Sequence, residues 1–532
     1  MERGGVSSAA EASPATVIDL FERAAAERPH APAVIFPDGR ATYAELHESS
    51  LRIARALRAR GLGRGDLVGV LLAANVRNIE CLLAIWRLGA IPTPINPRFK
   101  VSELSFVVSH SGMTMLLADD AGMPLASEAD LSCDVIGTDA DELLSTGEQV
   151  EDGEIEELTA SVRAEDDCLL LYTSGTTASP KGAMHTHSSL VHEGRNVSEH
   201  LGLTPEDIFW SPLPMFHCGG FCTMAAAWYH ASTFCHAGAF DPAVTIEQLE
   251  REHCTFAFPA FETIWLAVLD HPSCADADLS ALRVVVNVGV PERLRQMQER
   301  LPSAVQISSF GSTESCGFMC MGEVDDPLDL RCTTSGRPLR DMQMRIVDPD
   351  TGEDLPPGEP GEALFRGVTR FARYHRDPEY TQKVIDADGW FHSGDLLKMD
   401  EDGRVSFIGR LKDVLKVGGE NVSAAEIENY LTGHPAVKIV QVVGAPDARL
   451  IEVPCAFVEL NPGRSATEQE LIDYCLGQIA TFKVPRYVRF VTEWPISGTK
   501  IQKFKLRGRI ERELAEAGIT EAPRLSSAKA KA

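Results

Sequence analysis

The sequence has 532 residues, of which 44% are hydrophobic and 24% charged, a balance typical of a globular protein with more than one domain. Fifty basic against 77 acidic residues give a formal net charge of -27, which argues against nucleic acid or anionic lipid as a partner. The 13 cysteines form no paired C-x-x-C units, which favours reduced thiols over a disulfide framework or a structural zinc site.

The first third of the chain alternates helix and strand patterns. Apolar periodicity predicts helices over 16–29, 42–61 and 78–90, and strands over 32–36, 66–73 and 91–96. This alternation predicts a largely parallel sheet covered by helices. The first residues lack the apolar stretch of a signal peptide, so export is not predicted. The most apolar later window, 255–269, is shorter than the roughly 20 residues of a membrane span and predicts buried core.

Residues 173–182 read TSGTTASPKG directly after the apolar run CLLLY. Glycines, small hydroxyls and one lysine suit a bound phosphate, although a plain surface turn has the same composition. The stretch departs from the nucleotide loop of Walker-type NTPases, because Pro180 stands where that loop has its second glycine. The segment GAMHTH then predicts a short strand, and the helix after it has Ser188 and Ser189 as capping candidates. The loop is therefore predicted to join two strands.

From about Cys254 to Glu314 the alternating pattern of the first third returns, and after it the pattern changes to short strands. Strands are predicted over 282–290 and 304–310, and short strands between Asp, Gly and Pro turns over 342–410 predict a small β-rich subdomain. From about residue 412 a mixed segment has helices predicted over 423–434 and 467–480, with strands over 439–445 and 453–460. Residues 522–532 are predicted to be disordered, since they have little to bury.

Four further stretches carry residues that suit ligand binding or catalysis. Glu314, in FGSTESCG, is a candidate magnesium ligand, and Asp395, in GWFHSGDL, could accept the hydroxyls of a ribose. The pair Gly418 and Gly419 would let the backbone lie against a narrow ligand. Lys500 belongs to a basic run near the C-terminus. Taken singly, each of these has an ordinary alternative as a turn residue or a solvated face.

Seven stretches carry the combined signal: YTSGTTASPKG, PMFHCGG, FGSTE, SGRPL, WFHSGD, GRLKDVLKVGGENV and GTKIQKFKLR. Together they resemble the adenylate-forming superfamily of acyl-CoA synthetases, luciferases and peptide-synthetase adenylation domains. The resemblance covers about residues 17–509. It implies an α/β fold class, with a large N-terminal domain of stacked α/β sheets and a small β-rich subdomain over residues 1–411. A small, mobile α+β C-terminal domain over residues 412–532 would carry the catalytic lysine.

The resemblance also implies roles for individual residues. It makes Glu314 the magnesium ligand, Asp395 the ribose ligand and Arg410 a further nucleotide contact. NVGVP departs from the usual G-G-A-P of the adenine-binding turn, and Phe310 replaces a more common tyrosine. The matched nucleotide-site positions are the phosphate loop Thr173, Ser174, Gly175, Thr176, Thr177 and Lys181, the adenine turn Gly289, Val290 and Pro291, and the motif residues Phe310, Gly311, Ser312 and Thr313.

Thr176, His217, Glu314 and Lys500 are expected to be the catalytic residues. Lys500 matches the lysine that bridges the acyl carboxylate and the α-phosphate, although Gly498-Thr499-Lys500 departs from the usual Thr-Gly-Lys. His217 resembles the gating residue near the acyl tunnel of CoA ligases, with a plain core histidine as its alternative. Lys412 matches the interdomain hinge. Gly418, followed by Gly419, matches the glycine presented to the pantetheine tunnel.

The implied reaction joins a carboxylic acid to coenzyme A with ATP and Mg²⁺, through an acyl-AMP. Gly311, where acetate-using relatives have tryptophan, is expected to leave room for a larger acid, so medium- or long-chain fatty acids are preferred. Aryl or other bulky acids, a carrier-protein acceptor and an inactive nucleotide-binding module remain alternatives. The expected partners are the small-molecule acid, ATP and CoA, with no nucleic acid and no membrane span. The resemblance also allows a homodimer, and the expected location is cytoplasmic.

Overall fold

The computed structural model describes residues 14–138, 147–173, 180–411, 414–417, 420–497 and 500–525. The helices are α1 Val17–Glu27, α2 Tyr43–Ala59, α3 Val76–Arg87, α4 Val101–Ser111, α5 Met123–Glu128, α6 Asp152–Ser161, α7 His187–Leu201, α8 Cys218–Tyr229, α9 Pro242–Arg251, α10 Glu262–Asp270, α11 Pro291–Arg300, α12 Leu328–Thr333, α13 Pro378–Val384, α14 Ala424–Thr432, α15 Glu468–Cys475 and α16 Lys503–Glu516.

The strands are β1 Pro32–Phe36, β2 Gly39–Thr42, β3 Leu67–Leu71, β4 Ile91–Pro94, β5 Met115–Ala118, β6 Asp134–Gly137, β7 Asp167–Thr173, β8 Lys181–Thr186, β9 Ile208–Ser211, β10 Thr233–His236, β11 Phe256–Phe261, β12 Val284–Val288, β13 Val305–Ile307, β14 Ser309–Phe310, β15 Cys320–Met321, β16 Arg337–Pro338, β17 Met342–Val347, β18 Gly361–Gly367, β19 Arg373–Tyr374, β20 Phe391–Met399, β21 Val405–Arg410, β22 Val414–Val417, β23 Glu420–Ser423, β24 Val437–Asp447, β25 Ile451–Leu460, β26 Tyr487–Phe490, β27 Ile496–Ser497 and β28 Lys500–Ile501.

Two sheets, mostly parallel, form the first part of the molecule. One has the order β13-β12-β11-β9-β10-β1-β2, with only the β1–β2 hairpin antiparallel, and the other has the order β4-β3-β5-β6 with every pair parallel. A continuous apolar core joins strands of both sheets to α1, α2, α3, α7 and α8. The predicted α/β architecture is confirmed here, because buried parallel strands need helices on their faces.

Antiparallel sheets carry the motif-rich middle of the chain. β8 pairs with both β7 and β19, β15 pairs with both β14 and β16, and the order β17-β18-β20-β21 forms the predicted β-rich part. One apolar cluster includes Ala183 of β8, Phe310 of β14 and Tyr374 of β19, together with residues of β18, β20 and β21. Packing therefore brings together segments that lie far apart in sequence.

The chain passes from one sheet to another between Arg410 and Val414. β21 ends the antiparallel middle sheet, whereas β22 belongs to a separate sheet of order β23-β22-β25-β24, with β26 parallel to β25. This last sheet has apolar cores of its own. Arg293 of α11 reaches it, donating hydrogen bonds to the carbonyl oxygens of Val437 (3.4 Å) and Lys438 (2.5 Å). The domain boundary at residue 412 itself stays a prediction.

Threonine side chains cap α1, α2 and α7. Thr16, Thr42 and Thr186 each accept a hydrogen bond from the third helical residue, in the capping-box arrangement. The cap of α7 is therefore Thr186, and the expectation of Ser188 or Ser189 was wrong. Ser189 instead donates its backbone N–H to Thr186 Oγ1 over 3.1 Å. Among the described helices, none is long and apolar enough to cross a bilayer.

Candidate active site

The predicted phosphate loop connects two hydrogen-bonded strands. Thr173, the last residue of β7, is the register partner of Lys181, the first residue of β8. Thr173 Oγ1 donates to the Lys181 carbonyl oxygen over 3.3 Å. The prediction that the loop joins two strands is therefore confirmed. Ser174, Gly175, Thr176 and Thr177 lie outside the described residues.

Two tyrosines enclose the end of the Lys181 side chain. Its Nζ lies 2.9 Å from the ring centroid of Tyr380 and 5.7 Å from that of Tyr374. The two rings are 5.3 Å apart between centroids and inclined by 50°. An ammonium over an aromatic face is attracted to the negative side of the ring quadrupole. Lys181 is thus held by aromatic faces beside the loop that it ends.

Glu314 is hydrogen-bonded to Tyr374, one of these two tyrosines. It lies in a single 3-10 turn, Thr313–Ser315, between β14 and β15, and its Oε1 accepts the Tyr374 hydroxyl at 2.7 Å. The Phe371 backbone N–H donates to the Glu314 carbonyl oxygen over 2.8 Å, which fixes the turn. Burial and the Glu314 carboxylate raise the pKa of Tyr374 well above its ordinary value, so its hydroxyl stays a donor. The structure therefore brings Lys181 and Glu314 to one ring.

Asp395 and Arg410 form an ion pair across two neighbouring strands. They are register partners on β20 and β21, with Arg410 Nε 2.8 Å from Asp395 Oδ1. The Asp395 side chain is 4% exposed and that of Arg410 is 44% exposed, so the guanidinium remains accessible to a ligand. The positive charge of Arg410 also acts on Tyr374, against the effects that raise its pKa. The pair thus lies within electrostatic range of the Glu314 turn.

The turn at Gly289, Val290 and Pro291 is held by a half-buried carboxylate. Glu262, the first residue of α10, accepts the Val290 backbone N–H through Oε2 at 3.1 Å. A Cβ at Gly289 would lie 2.6 Å from that same oxygen, so a larger residue there would have to displace the Glu262 carboxylate. Burial raises the pKa of Glu262. Pro291 then begins α11, and the adenine-binding role of the turn stays a prediction.

Phe310 and Gly311 border this region in different ways. Phe310 is buried and stacks on Phe407, with ring centroids 6.2 Å apart and planes inclined by 26°. A Cβ at Gly311 would lie only 1.8 Å from the Gly317 carbonyl oxygen. Close packing against the Gly317 backbone therefore accounts for glycine at this position. The expectation that Gly311 leaves room for a larger acid stays a prediction.

The first turn of α8 lies against the Glu314 turn. His217 precedes the helix, and its ring is 4.6 Å from that of Phe216 between centroids. Cys218 Sγ is 3.9 Å from the Ser312 carbonyl oxygen and 4.0 Å from Thr313 Oγ1. The structure thus brings His217, Ser312 and Thr313 to neighbouring positions. The gating role of His217 stays a prediction.

A buried carboxyl group behind these loops was not predicted from the sequence. Glu193 of α7 accepts the Phe318 backbone N–H through Oε1 at 2.6 Å. Burial raises the pKa of Glu193 to about 8, so it is largely protonated at neutral pH. The Phe318 ring lies 4.5 Å from that of Phe258 between centroids. Glu193 therefore anchors one end of an aromatic wall next to the Glu314 turn.

The C-terminal residues are only partly placed. Lys500 begins β28 and its backbone pairs with Ser497 of β27, which puts it on a short hairpin. The Lys500 side chain is not among the described parts of the structure. Lys412, Gly418 and Gly419 also lie outside the described residues. The roles of these four residues stay predictions. Tyr374, Tyr380, Glu262 and Glu193 are the functional candidates that the sequence motifs did not include.

The fold is similar to that of a solved enzyme bound to an acyl-adenylate. The crystal structure of the anthranilate CoA ligase AuaEII in complex with anthranoyl-AMP aligns with a TM-score of 0.84 and 26% identity, covering 94% of this chain and 98% of that one. Fold and site thus define an ATP-dependent, AMP-forming ligase, and the predicted resemblance to the adenylate-forming superfamily is confirmed.

The chain belongs to the AMP-binding enzyme family. The model of that family matches residues 21–375, and a second model, AMP-binding enzyme C-terminal domain, matches residues 426–500. The putative acyl-CoA synthetase YngI of Bacillus subtilis (strain 168) is 34% identical over 540 residues, covering 94% of this chain and 97% of the relative. The mitochondrial medium-chain acyl-CoA ligase ACSF2 of Danio rerio is 30% identical over 548 residues, covering 94% and 89%.

Proposed function

We propose that the protein is a carboxylic acid:CoA ligase acting on a medium- or long-chain fatty acid. The reaction would convert the acid, ATP and CoA into acyl-CoA, AMP and pyrophosphate through an acyl-AMP intermediate. Similarity to an acyl-CoA synthetase and to a medium-chain acyl-CoA ligase over nearly the whole chain supports this assignment. We keep a cytoplasmic location as part of the proposal.

The observation that carries the proposal is the meeting of Lys181 and Glu314 at Tyr374. A cation near the Tyr374 ring and a carboxylate bonded to the hydroxyl of the same residue, next to a loop rich in small donors, suit a phosphate chain and its metal ion. Mg²⁺ usually takes one or two protein carboxylates together with phosphates and water. The donor set here therefore fits, and Glu314 would hold an ion that neutralises phosphate charge.

In the first half-reaction the acid carboxylate attacks the α-phosphorus and pyrophosphate leaves. The protein's task is to hold the reactants in line and to stabilise the negative charge. Lys181 and the loop would bind the outer phosphates, and Asp395 would accept hydrogen bonds from the ribose. Lys500 would bridge the carboxylate and the α-phosphate. No nucleophile from the protein is needed.

In the second half-reaction the thiol of CoA displaces AMP. This step requires a different lining of the same site, which a hinged C-terminal domain can provide. Rotation about Lys412 would withdraw Lys500 and bring Gly418 and Gly419 to the pantetheine path. Arg293, which donates to the Lys438 carbonyl oxygen, is one contact that such a rotation would have to break.

Two alternatives concern the acid and the thiol acceptor. Similarity to an anthranilate CoA ligase favours an aryl or other bulky acid as the second candidate. A carrier-protein thiol could replace CoA as the acceptor without any change in the first half-reaction. Phe216-His217 provides no acidic partner for an amino group, so amino acids are the least favoured acids, because an unpaired buried ammonium is costly.

A substrate screen tests the proposal. Saturated acids of increasing chain length and a set of aryl acids are incubated with ATP and Mg²⁺, with and without CoA, and AMP release is measured. The proposal expects CoA-dependent AMP release that is greatest for a medium or long saturated acid. A maximum with an aryl acid would favour the second candidate. Acid-dependent pyrophosphate release without thioester formation would contradict a CoA acceptor.

A further inference from the structure

Lys181 has an aromatic rather than an acidic environment. No carboxylate of the described segments lies within ion-pair distance of its Nζ, which faces the rings of Tyr380 and Tyr374. A carboxylate partner would neutralise the ammonium and compete with a phosphate for it. A ring face attracts the cation more weakly than an anionic phosphate oxygen does. The charge therefore stays available to an incoming phosphate.

The Tyr380 ring is fixed by the start of its helix. Asp377 precedes α13 and accepts the Tyr380 backbone N–H at 3.1 Å, and Pro378 supplies the first helical residue. Thr381 Oγ1 accepts the Tyr374 backbone N–H at 3.0 Å, which ties α13 to β19. Because β19 pairs with β8, the tyrosines and Lys181 belong to one hydrogen-bonded unit. Both rings are thus preorganised around the lysine.

We propose that Tyr380 is a positioning residue for ATP binding, holding the Lys181 ammonium beside the phosphate loop without a carboxylate partner among the described residues. A lysine side chain loses considerable rotamer freedom when it is ordered. Restricting it before ATP arrives lowers the part of that cost that falls on binding. Tyr374 has a separate task, since its hydroxyl is committed to Glu314. The inference rests on the proposed function only in placing ATP phosphates at this loop.

The kinetic test uses the full-length protein and acid-dependent pyrophosphate release. Tyr380→Leu removes the ring face, and we expect the KM for ATP to rise about fivefold with kcat within about twofold, the pattern of lost ground-state binding. Tyr380→Phe keeps the ring and should restore a KM close to that of the parent. Tyr380→Gln is a second ring-free variant in case the leucine variant folds poorly.

The chain offers a matched control. Arg23 lies 4.8 Å from the ring centroid of Tyr229, at the end of α8 that is about 18 Å from His217 by helix rise. Tyr229→Leu removes a cation–π contact of the same kind, and its KM for ATP should match that of the parent. An equal rise in both leucine variants would overturn the proposal, because general loosening would then explain it.

A second measurement does not depend on turnover. The rate at which an amine-acylating reagent modifies Lys181 is followed by peptide mass spectrometry without ATP. The exposed Lys383 of α13, the helix that contains Tyr380, serves as reference. Tyr380→Leu should raise the Lys181 rate several-fold and leave Lys383 unchanged, and ATP should protect Lys181 in the parent. Unchanged Lys181 reactivity, or a changed rate without a change in KM, would overturn the proposal. A parent that ATP protects but that activates no acid would instead contradict the proposed function alone.

Discussion

Glu193 of α7 accepts a hydrogen bond from the backbone N–H of Phe318, 125 positions further along the chain. The carboxyl is completely buried, and the nearby thiols of Cys222 and Cys316 also have pKa values raised by burial. Since every titratable neighbour named here favours its neutral form, this part of the core carries little charge at neutral pH. Its stability should therefore depend on the protonation of Glu193.

We predict that the free energy of unfolding falls as pH rises toward 8. The folded pKa of Glu193, about 8, lies above its unfolded value, so between the two the folded state binds a proton that the unfolded state releases. The resulting loss is at most about 1.4 kcal/mol per pH unit. Glu193→Gln keeps the acceptor for Phe318 and should remove this slope.

The pH range of that measurement follows from three buried histidines. Burial lowers the pKa values of His185, His187 and His236 to about 4, which gives stability the opposite slope below about pH 6.5. Urea unfolding of the parent and of Glu193→Gln is therefore measured between about pH 7 and 8. The two proteins share these histidines and cysteines, so the difference between their slopes gives the contribution of Glu193. Equal slopes for parent and Glu193→Gln would show that this carboxyl is already ionised in the folded state.

Gly311 gives a prediction about packing. Because a Cβ there would meet the Gly317 carbonyl oxygen at 1.8 Å, Gly311→Ala should lower the free energy of unfolding by about 1–3 kcal/mol. Gly137→Ala is the matched control, since nothing lies within 4 Å of the added Cβ, and its effect should stay within about 0.5 kcal/mol. Urea denaturation of both variants provides the measurement. A neutral Gly311→Ala would mean that the Glu314 turn can shift outward at little cost.

Glu314 gives a prediction about metal use. Glu314→Gln keeps an acceptor for the Tyr374 hydroxyl but loses the negative charge, so the fold should be preserved and acid-dependent pyrophosphate release should drop on the order of 10²-fold. The concentration of Mg²⁺ needed for half-maximal rate should also rise. Melting temperature and Mg²⁺ titration of the same preparation separate the two effects. Parent-like activity at low Mg²⁺ would remove Glu314 as the ligand.

The sequence predicts the large features because they depend on neighbouring residues. The apolar run before Thr173 and the alternating segments up to residue 96 predict strands and helices that the structure contains. The start of α7 is missed, since Thr186, Ser188 and Ser189 are all suitable caps and only the helix register distinguishes them. Local pattern thus gives an element more reliably than its first residue.

Contacts between distant segments explain what the sequence does not predict. Tyr374 and Glu314 are 60 positions apart, and the significance of Tyr380 depends on where Lys181 points. A tyrosine after Asp-Pro in RYHRDPEYT indicates only the start of a helix. Gly311 likewise makes a contact that its own motif does not reveal, because an added Cβ would lie 1.8 Å from the Gly317 carbonyl oxygen. Side-chain identity alone does not determine the shape of a pocket.

The proposed rotation of the C-terminal domain between the two half-reactions leads to the last prediction. If Lys500 stabilises charge only while the carboxylate attacks ATP, Lys500→Ala should lose adenylation by on the order of 10²-fold or more. Given pre-made acyl-AMP and CoA, the same variant should still form thioester at a rate near that of the parent. Gly418→Leu should show the opposite pattern, because a branched side chain would obstruct the pantetheine path and touch nothing in the first step.

Both half-reactions are measured separately, as pyrophosphate release without CoA and as thioester formation from acyl-AMP. Lys412→Pro fixes φ at the expected hinge and should slow the second half-reaction if the chain rests in the pose for adenylation. Arg293→Ala removes the hydrogen bond to the Lys438 carbonyl oxygen and should change the ratio of the two rates without abolishing either. Equal losses of both half-reactions in Lys500→Ala and Gly418→Leu would instead favour one static site. A rotation of the C-terminal domain requires Lys500 to serve only the first step and Gly418 only the second.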